Sequence, residues 1–189
     1  MCSQEKNLLR KRIGDLEAGL KEADLAWSDR ALCRQVLSLP EWQEAETVML
    51  FSPIRKEVRV DLLVQDARSR GKRIGLPCMQ AGHRLVCREW KEGVLLKEAG
   101  MHILEPDDRA AAIAPSQIDL IVVPARCYDR LGNRLGYGAG FYDRYLRDHP
   151  ARTVGMCRQV LLQEHVPADG YDVPVRIVVT EDKIYRREP

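Results

Sequence analysis

Residues 118–125 read IDLIVVPA, a near-continuous apolar run of strand length closed by a proline. A strand wetted on one face alternates apolar with polar residues. This one does not, so both of its faces must be covered. Proline brings no N–H to a ladder and stops the strand. Burial on both faces is the mark of a central strand in a parallel sheet, with helices above and below.

Other segments fit that frame. TVMLF (47–51), KRIGLPC (72–78), RTVGMC (152–157) and RIVVT (176–180) are apolar runs of similar length. RLVCREW (84–90) reads as a strand joined to KRIGLPC through MQAGH, and KIYR (183–186) as one pairing beside the last. Helical patterns stand between them. Leu9, Ile13, Leu16, Leu20 and Ala23 recur at three- and four-residue spacing, which predicts a helix over 5–26. Ser28 is placed to cap a second helix ending before Pro40. VDLLVQDARSR (60–70) is helical in pattern, with Gly71 in position to end it. A further helix is expected from Phe141 to Asp148, stopped by Pro150. Pro53 makes SPIRKE (52–57) a loop. Residues 91–117, with Pro106, Pro115 and an alanine run, predict irregular connections with short helical pieces. The expected fold is α/β: an open, mostly parallel sheet with helices on both faces, Rossmann-like and three layers deep. The expected organisation is one domain over 1–189, a length that buries roughly 70% of its unfolded surface without staples.

Composition removes several function classes. Lys and Arg number 30 against 28 Asp and Glu, a net charge of +2, which gives no footing for nucleic acid. No run of 18 apolar residues occurs and the N-terminus has no signal-peptide core, so the expected compartment is the cytoplasm, with no membrane partner. Six cysteines include no C-x-x-C pair, so they read as free thiols, several of them buried as small apolar residues. The four histidines stand apart, and no nucleophile–base pair is visible.

Ligands in open α/β sheets bind beyond the carboxyl ends of the strands. That singles out SPIRKE, PARCYDRLGNRLGYGAG (124–140), MCRQ (156–159) and the segment leading to YDVPV (171–175). The second holds glycines at alternate positions, Gly136, Gly138 and Gly140. Such spacing permits positive φ and close approach of backbone N–H groups to an anion. The helix expected at Phe141 adds the positive end of its dipole. Asp143 can complement that dipole or hold a metal ion beside phosphates, and Arg134 and Arg144 bring positive charge. The spacing is neither G-x-G-x-x-G nor a Walker A loop. A glycine-rich turn with Asp143 as a simple helix cap remains the competing reading.

The longer string DRLGNRLGYGAGFYDRYL (129–146) closely resembles the signature of the 5-formyltetrahydrofolate cyclo-ligase family, a Gly-x-Arg-Leu-Gly-x-Gly-x-Gly-Tyr-Tyr-Asp-x-x-Leu pattern after a strand ending in proline. Here Gly132, Arg134, Leu135, Gly136, Gly138, Gly140, Phe141, Tyr142, Asp143 and Leu146 match, with Phe141 for the usual tyrosine. KNLLRKRI (6–13), FSPIRKEV (51–58) and VPADGYDVPVRIVVTE (166–181) are similar to the family's N-terminal basic helix, first-strand loop and C-terminal segment, so the resemblance covers nearly the whole chain.

The resemblance implies ATP-dependent conversion of 5-formyltetrahydrofolate to 5,10-methenyltetrahydrofolate, with ADP and phosphate released. It assigns Lys6, Arg10, Arg134, Leu135, Gly136, Gly138, Gly140, Phe141 and Tyr142 to ATP. Arg10, Arg134 and Tyr142 would serve the reaction itself. Ser52, Glu57, Tyr137 and Gly138 would meet the folate, whose pterin edge offers N–H donors to a carboxylate. Asp143 and Asp172 would bind Mg²⁺. The implied partners are 5-formyltetrahydrofolate and ATP, with the protein a monomer or weak homo-oligomer. The chain departs from the family pattern at Arg59, Val60, Ala125, Met156, Cys157 and Arg176, several of them on the expected folate side. Two alternatives stand beside the enzyme: a divergent member that binds nucleotide or folate as a regulator without turnover, and a sugar-phosphate isomerase on a similar sheet. Retention of Lys6, Arg10, Asp143 and Asp172 together favours the enzyme over the regulator, and the basic N-terminal helix argues against the isomerase.

Overall fold

The computed structural model describes residues 2–147 and 149–188. The chain opens with two helices, α1 (Cys2–Gly19) and α2 (Glu22–Leu37), where one helix over 5–26 was expected. The break falls just after Gly19, the poorest helix former in the run after proline, and Lys21 is extended at φ −87°, ψ 150°. Ser28 therefore lies inside α2 and caps nothing. Its side chain is buried and donates to the Glu181 carboxylate, tying α2 to the far end of the chain. The short α3 (Pro40–Glu44) starts on a proline, which needs no N–H there. Its Trp42 is fully buried, and the indole N–H reaches Asp66 at 2.8 Å.

The first crossover runs from β1 (Thr47–Met49) through α4 (Asp61–Ser69) to β2 (Arg73–Gln80). Gly71 ends α4 in the left-handed conformation (φ +69°), as its position predicts. β3 (Arg84–Glu89) returns antiparallel to β2. Residues 91–117 hold more extended structure than expected. β4 (Leu96–Glu98) and β5 (Leu104–Pro106) form a separate two-stranded ribbon packed against β2, and β6 (Ala112–Ile113) extends the main sheet beyond β3. The only helical pieces among the described residues there are single 3₁₀ turns at Gly100–His102 and Pro115–Gln117.

The central strand follows as β7 (Leu120–Val123). After it come the small hairpin β8 (Cys127–Tyr128) and β9 (Arg134–Leu135), then α5 (Phe141–Leu146), β10 (Arg152–Met156), β11 (Ile177–Val179) and β12 (Ile184–Arg186). The expected end of α5 at Asp148 lies outside the described residues. The main sheet has eight strands in the order β12-β11-β10-β7-β1-β2-β3-β6. Strands β11, β10, β7, β1 and β2 are parallel, and the antiparallel strands are confined to the two edges.

The period-two alternation of strands sorts the core into two layers. Val48, Leu50, Ile74, Leu76, Leu120 and Val122 pack with Leu32, Val36, Trp42 and Leu63 of α2, α3 and α4. Met49, Ile121, Val123 and Val178 pack on the other side with Leu9 and Ile13 of α1 and Leu146 of α5. All four residues of β7 are buried, as a two-faced central strand requires. Each such side chain contributes about 1.5–3 kcal/mol on burial. The five cysteines beyond Cys2 are all buried and free, and burial pushes the thiols up, Cys33 and Cys127 to about 12 and Cys78 to about 11. Among the described residues no helix is long and apolar enough to cross a membrane.

Candidate active site

From β1 the chain winds toward β2 on one side, while β7 lies against β1 on the other. The carboxyl ends of β1 and β7 thus diverge at a topological switch point, where open sheets hold ligands. A cleft of about 1020 Å³ opens there, bordered by Phe51 and Ser52 after β1 and by Pro124 after β7. It also collects residues from α1, the 134–147 segment and the 169–172 segment. Every residue assigned to the site from sequence borders this one cleft: Lys6, Arg10, Ser52, Glu57, Arg134 to Gly138, Gly140 to Asp143, and Asp172.

Two of the three alternating glycines have positive φ, Gly138 at +104° and Gly140 at +69°. Gly136 does not. A side chain there would meet nothing within 4 Å, so its bareness leaves open space at the cleft wall. The Gly136 carbonyl accepts from Arg10 Nε at 3.0 Å. Helix α5 has six residues, under two turns. The expected dipole contribution is correspondingly small, and positive charge at the cleft comes from side chains. Lys6 and Arg10, one turn apart on α1, both reach it. Lys6 Nζ donates to Asp172 Oδ2 at 2.5 Å and to Asp169 Oδ2 at 3.3 Å.

Asp143 is no helix cap. Its Oδ1 accepts from Arg134 Nη2 at 2.6 Å and from the Val173 N–H at 3.1 Å. Arg134 is buried and spends Nη1 on the Val173 carbonyl. Asp172 likewise receives its bonds on one oxygen, Oδ2, from Lys6 and from the Asp169 N–H at 2.7 Å. Asp143 Oδ2 and Asp172 Oδ1 make no hydrogen bond among the described residues. Among the described residues no cluster of three or more His, Cys, Asp or Glu side chains forms a metal cage either. Mg²⁺ takes one or two carboxylates and completes its shell with water and phosphate oxygens, so this pair of aspartates is a fitting donor set.

Leu135 borders the cleft by its backbone segment while its side chain belongs to the core. It is 1% exposed, packs in the core, and gives its carbonyl to the Arg126 N–H at 2.8 Å. Its side chain anchors the loop and offers no group for ATP. Tyr142 borders the cleft, but its hydroxyl is shut off from solvent and has no partner among the described residues. Burial pushes that phenol well above its ordinary range. Phe141 rests on the His83 ring at 5.2 Å.

Glu57 accepts from the Ile54 N–H at 3.0 Å. Burial raises its carboxyl to about 7, against the opposing pull of that N–H and of the Tyr137 hydroxyl. Its loop is braced from behind. Lys56 Nζ donates to the carbonyls of Glu17 and Leu20 at the end of α1, at 2.8 and 2.9 Å. Buried Arg158 pairs with Asp29 at 2.7 Å and also donates to the Lys56 and Glu57 carbonyls. The MCRQ turn, expected at the ligand site, therefore does not border the cleft. It closes a small hollow behind Glu57.

The 5-formyltetrahydrofolate cyclo-ligase family model matches residues 2–181. The chain belongs to this family. A probable 5-formyltetrahydrofolate cyclo-ligase of Schizosaccharomyces pombe is 29% identical over 203 residues, covering 97% of this chain and 98% of that protein. The 5-formyltetrahydrofolate cyclo-ligase of Escherichia coli K12 is 29% identical over 158 residues, 80% of this chain and 86% of that one. The solution structure of Aquifex aeolicus 5,10-methenyltetrahydrofolate synthetase superposes with a TM-score of 0.86 at 29% identity, covering 97% of this chain and 93% of that chain.

Apart from Phe141, which borders the cleft, the departures from the cyclo-ligase pattern at Arg59, Val60, Ala125, Met156, Cys157 and Arg176 fall outside the cleft lining. Arg59 is exposed and pairs with Asp61 at 2.9 Å, while Met156 and Cys157 border the small hollow. Sequence reasoning missed Asp169, Tyr171, Arg147, Met79 and Glu105, which also line the cleft. Asp169 had a faint signal, an aspartate three residues before Asp172. Glu105 had none, because the segment around it shows no period.

Proposed function

We propose that this chain converts 5-formyltetrahydrofolate and Mg·ATP to 5,10-methenyltetrahydrofolate, ADP and phosphate. The observation that carries this is the meeting of the ATP, folate and metal assignments on one cleft at the switch point. Cations and bare glycines stand on the α1 and 134–147 side, suited to phosphates. Phe51, Ile54, Pro77 and Met79 border the β1 and β2 side together with Glu57, suited to a flat ring with N–H donors.

Lys6 and Arg10 hold the phosphate chain, and Asp143 and Asp172 hold Mg²⁺, which supplies charge neutralisation at the transferring phosphoryl group. The formyl oxygen attacks the γ-phosphorus and the bond to ADP breaks. The phosphorylated formyl carbon is then attacked by the neighbouring folate nitrogen, which gives up its proton. Phosphate leaves with the formyl oxygen. The protein contributes position and charge, and no side chain forms a bond to carbon. Glu57 and Tyr137 orient the ring.

The test is growth of the methenyltetrahydrofolate absorbance on mixing protein, 5-formyltetrahydrofolate, Mg²⁺ and ATP. Binding of both ligands without that growth would leave the regulator as the reading.

A further inference from the structure

Glu105 is a buried carboxylate for which the reaction above has no use. It is 4% exposed, sits in β5, and borders the cleft. Its Oε1 accepts the Met79 N–H at 3.0 Å. That bond has a plain local cause: β1 pairs only with Arg73–Gly75, so the later residues of β2 have no parallel neighbour. The other oxygen, Oε2, makes no hydrogen bond among the described residues, and no ion pair reaches this carboxylate.

The chain treats a purely structural buried carboxylate quite differently. Asp129, 0% exposed, accepts from the Leu131, Asn133 and Val166 N–H groups and from the Asn133 side-chain amide. A carboxylate has about four acceptor positions, and burying it with most of them empty is costly. At Asp129 the fold fills them. At Glu105 it fills a position on Oε1 and leaves Oε2 open to the ligand cleft instead of sealing it in the core. Burial raises the Glu105 carboxyl, consistent with an acceptor short of donors.

The surroundings select the ligand. Ser52 Oγ accepts the Leu104 N–H at 3.0 Å, which ties β5 to the loop that carries Glu57. Both carboxylates border the cleft that Phe51, Pro77, Met79 and Ile103 also line. Phosphates are repelled by such a pair. A flat heterocycle edged with amino and ring N–H groups satisfies it.

We infer that Glu105 is a second substrate-recognising carboxylate, accepting N–H donors of the reduced pterin through Oε2. The inference rests on the proposed function. It assigns Glu105 to folate binding and leaves ATP untouched.

Glu105→Gln is the test, because glutamine keeps the volume and the acceptor for Met79 while replacing Oε2 with a donor. Calorimetry with 5-formyltetrahydrofolate in the absence of ATP is expected to show at least about tenfold weaker binding, the usual reach of a lost charge-assisted bond. The folate KM should rise in step, the ATP KM should stay within twofold, and the melting temperature should hold. Glu105→Asp, which withdraws the carboxylate by one methylene, should show a smaller loss of the same kind. Folate affinity within twofold of wild type in either folded variant overturns the inference. So does loss of folding in both, which would make Glu105 a cap for β2 alone. Absence of folate binding or turnover in the wild-type protein sinks the proposed function instead, so the two failures are separable.

Discussion

Arg134 Nη2 stands 2.6 Å from Asp143 Oδ1, an ion pair that joins β9 to the first turn of α5 at the cleft wall. The Arg134 side chain is 5% exposed and that of Asp143 25%. Arg134 thus fixes the carboxylate assigned to Mg²⁺, and Val173 N–H fixes the same oxygen from the other side. Arg134→Met should lower stability by about 2 kcal/mol or more, since it strands a half-buried charge. Asp143→Asn keeps the neutral acceptor for Val173 and should melt within a few degrees of Arg134→Met or above it, yet lose turnover at limiting Mg²⁺. Chemical denaturation together with Mg²⁺ titration of the rate checks both. Wild-type Mg²⁺ dependence in Asp143→Asn removes this carboxylate from metal binding.

Among the described residues the Arg10 side chain bonds the Gly136 carbonyl at 3.0 Å and Asn7 at 2.7 Å, and no carboxylate. Arg10→Ala should therefore cost at most about 1 kcal/mol of stability. Loss of a charge-assisted contact to a transferring phosphate can cost roughly 100-fold in rate. Arg10→Lys should recover only part of that, because lysine lacks the planar fork. Steady-state rates across ATP concentrations, set beside melting temperatures, decide whether this face of α1 is catalytic or merely solvated.

Gly138 has φ +104°, where a β-carbon is strained, and a Cβ there would lie 3.4 Å from Arg10 Nη2. Gly138→Val should destabilise the loop by about 1–3 kcal/mol and displace the Arg10 head group as well. ATP affinity should fall with it. Unchanged nucleotide binding by calorimetry in a folded Gly138→Val protein would show that the loop carries no phosphate.

Glu57 makes stability depend on pH. Its carboxyl is raised from 4.5 to about 7 in the folded state, so the folded protein holds that proton longer than the unfolded chain does. The contribution is fully present below about pH 4.5 and is lost as pH rises toward and through 7. Glu57→Gln should abolish this part of the pH slope and gain stability relative to wild type at pH 8, by up to about 3 kcal/mol. The same variant should bind 5-formyltetrahydrofolate more weakly. Denaturant midpoints at pH 5 and pH 8 for the two proteins check the sign.

Most strands of the main sheet were readable along the chain. Period-two and unbroken apolar runs report directly on which faces are covered, and IDLIVVPA gave away the centre of the sheet. Sequence also marked the glycine loop, Lys6, Arg10, Glu57, Asp143 and Asp172, because local spacing and a long signature carry such information. The break after Gly19 was missed, since a continuing apolar period outweighed one weak helix former. Ser28 was misread because its partner, Glu181, lies 153 positions away.

Only the tertiary structure decided which groups confront one another. The Arg134–Asp143–Val173 knot, the brace of Arg158 behind Glu57, and the burial of Leu135 all depend on contacts between segments remote in sequence. Glu105 is the clearest case. A glutamate before a proline in an aperiodic stretch looks like surface, and its character comes from where β5 is pinned against β2. Side-chain period encodes the face a residue takes on its own element. Burial, charge state and unmet hydrogen bonds are set by what the rest of the chain brings against that face, and no local pattern records it.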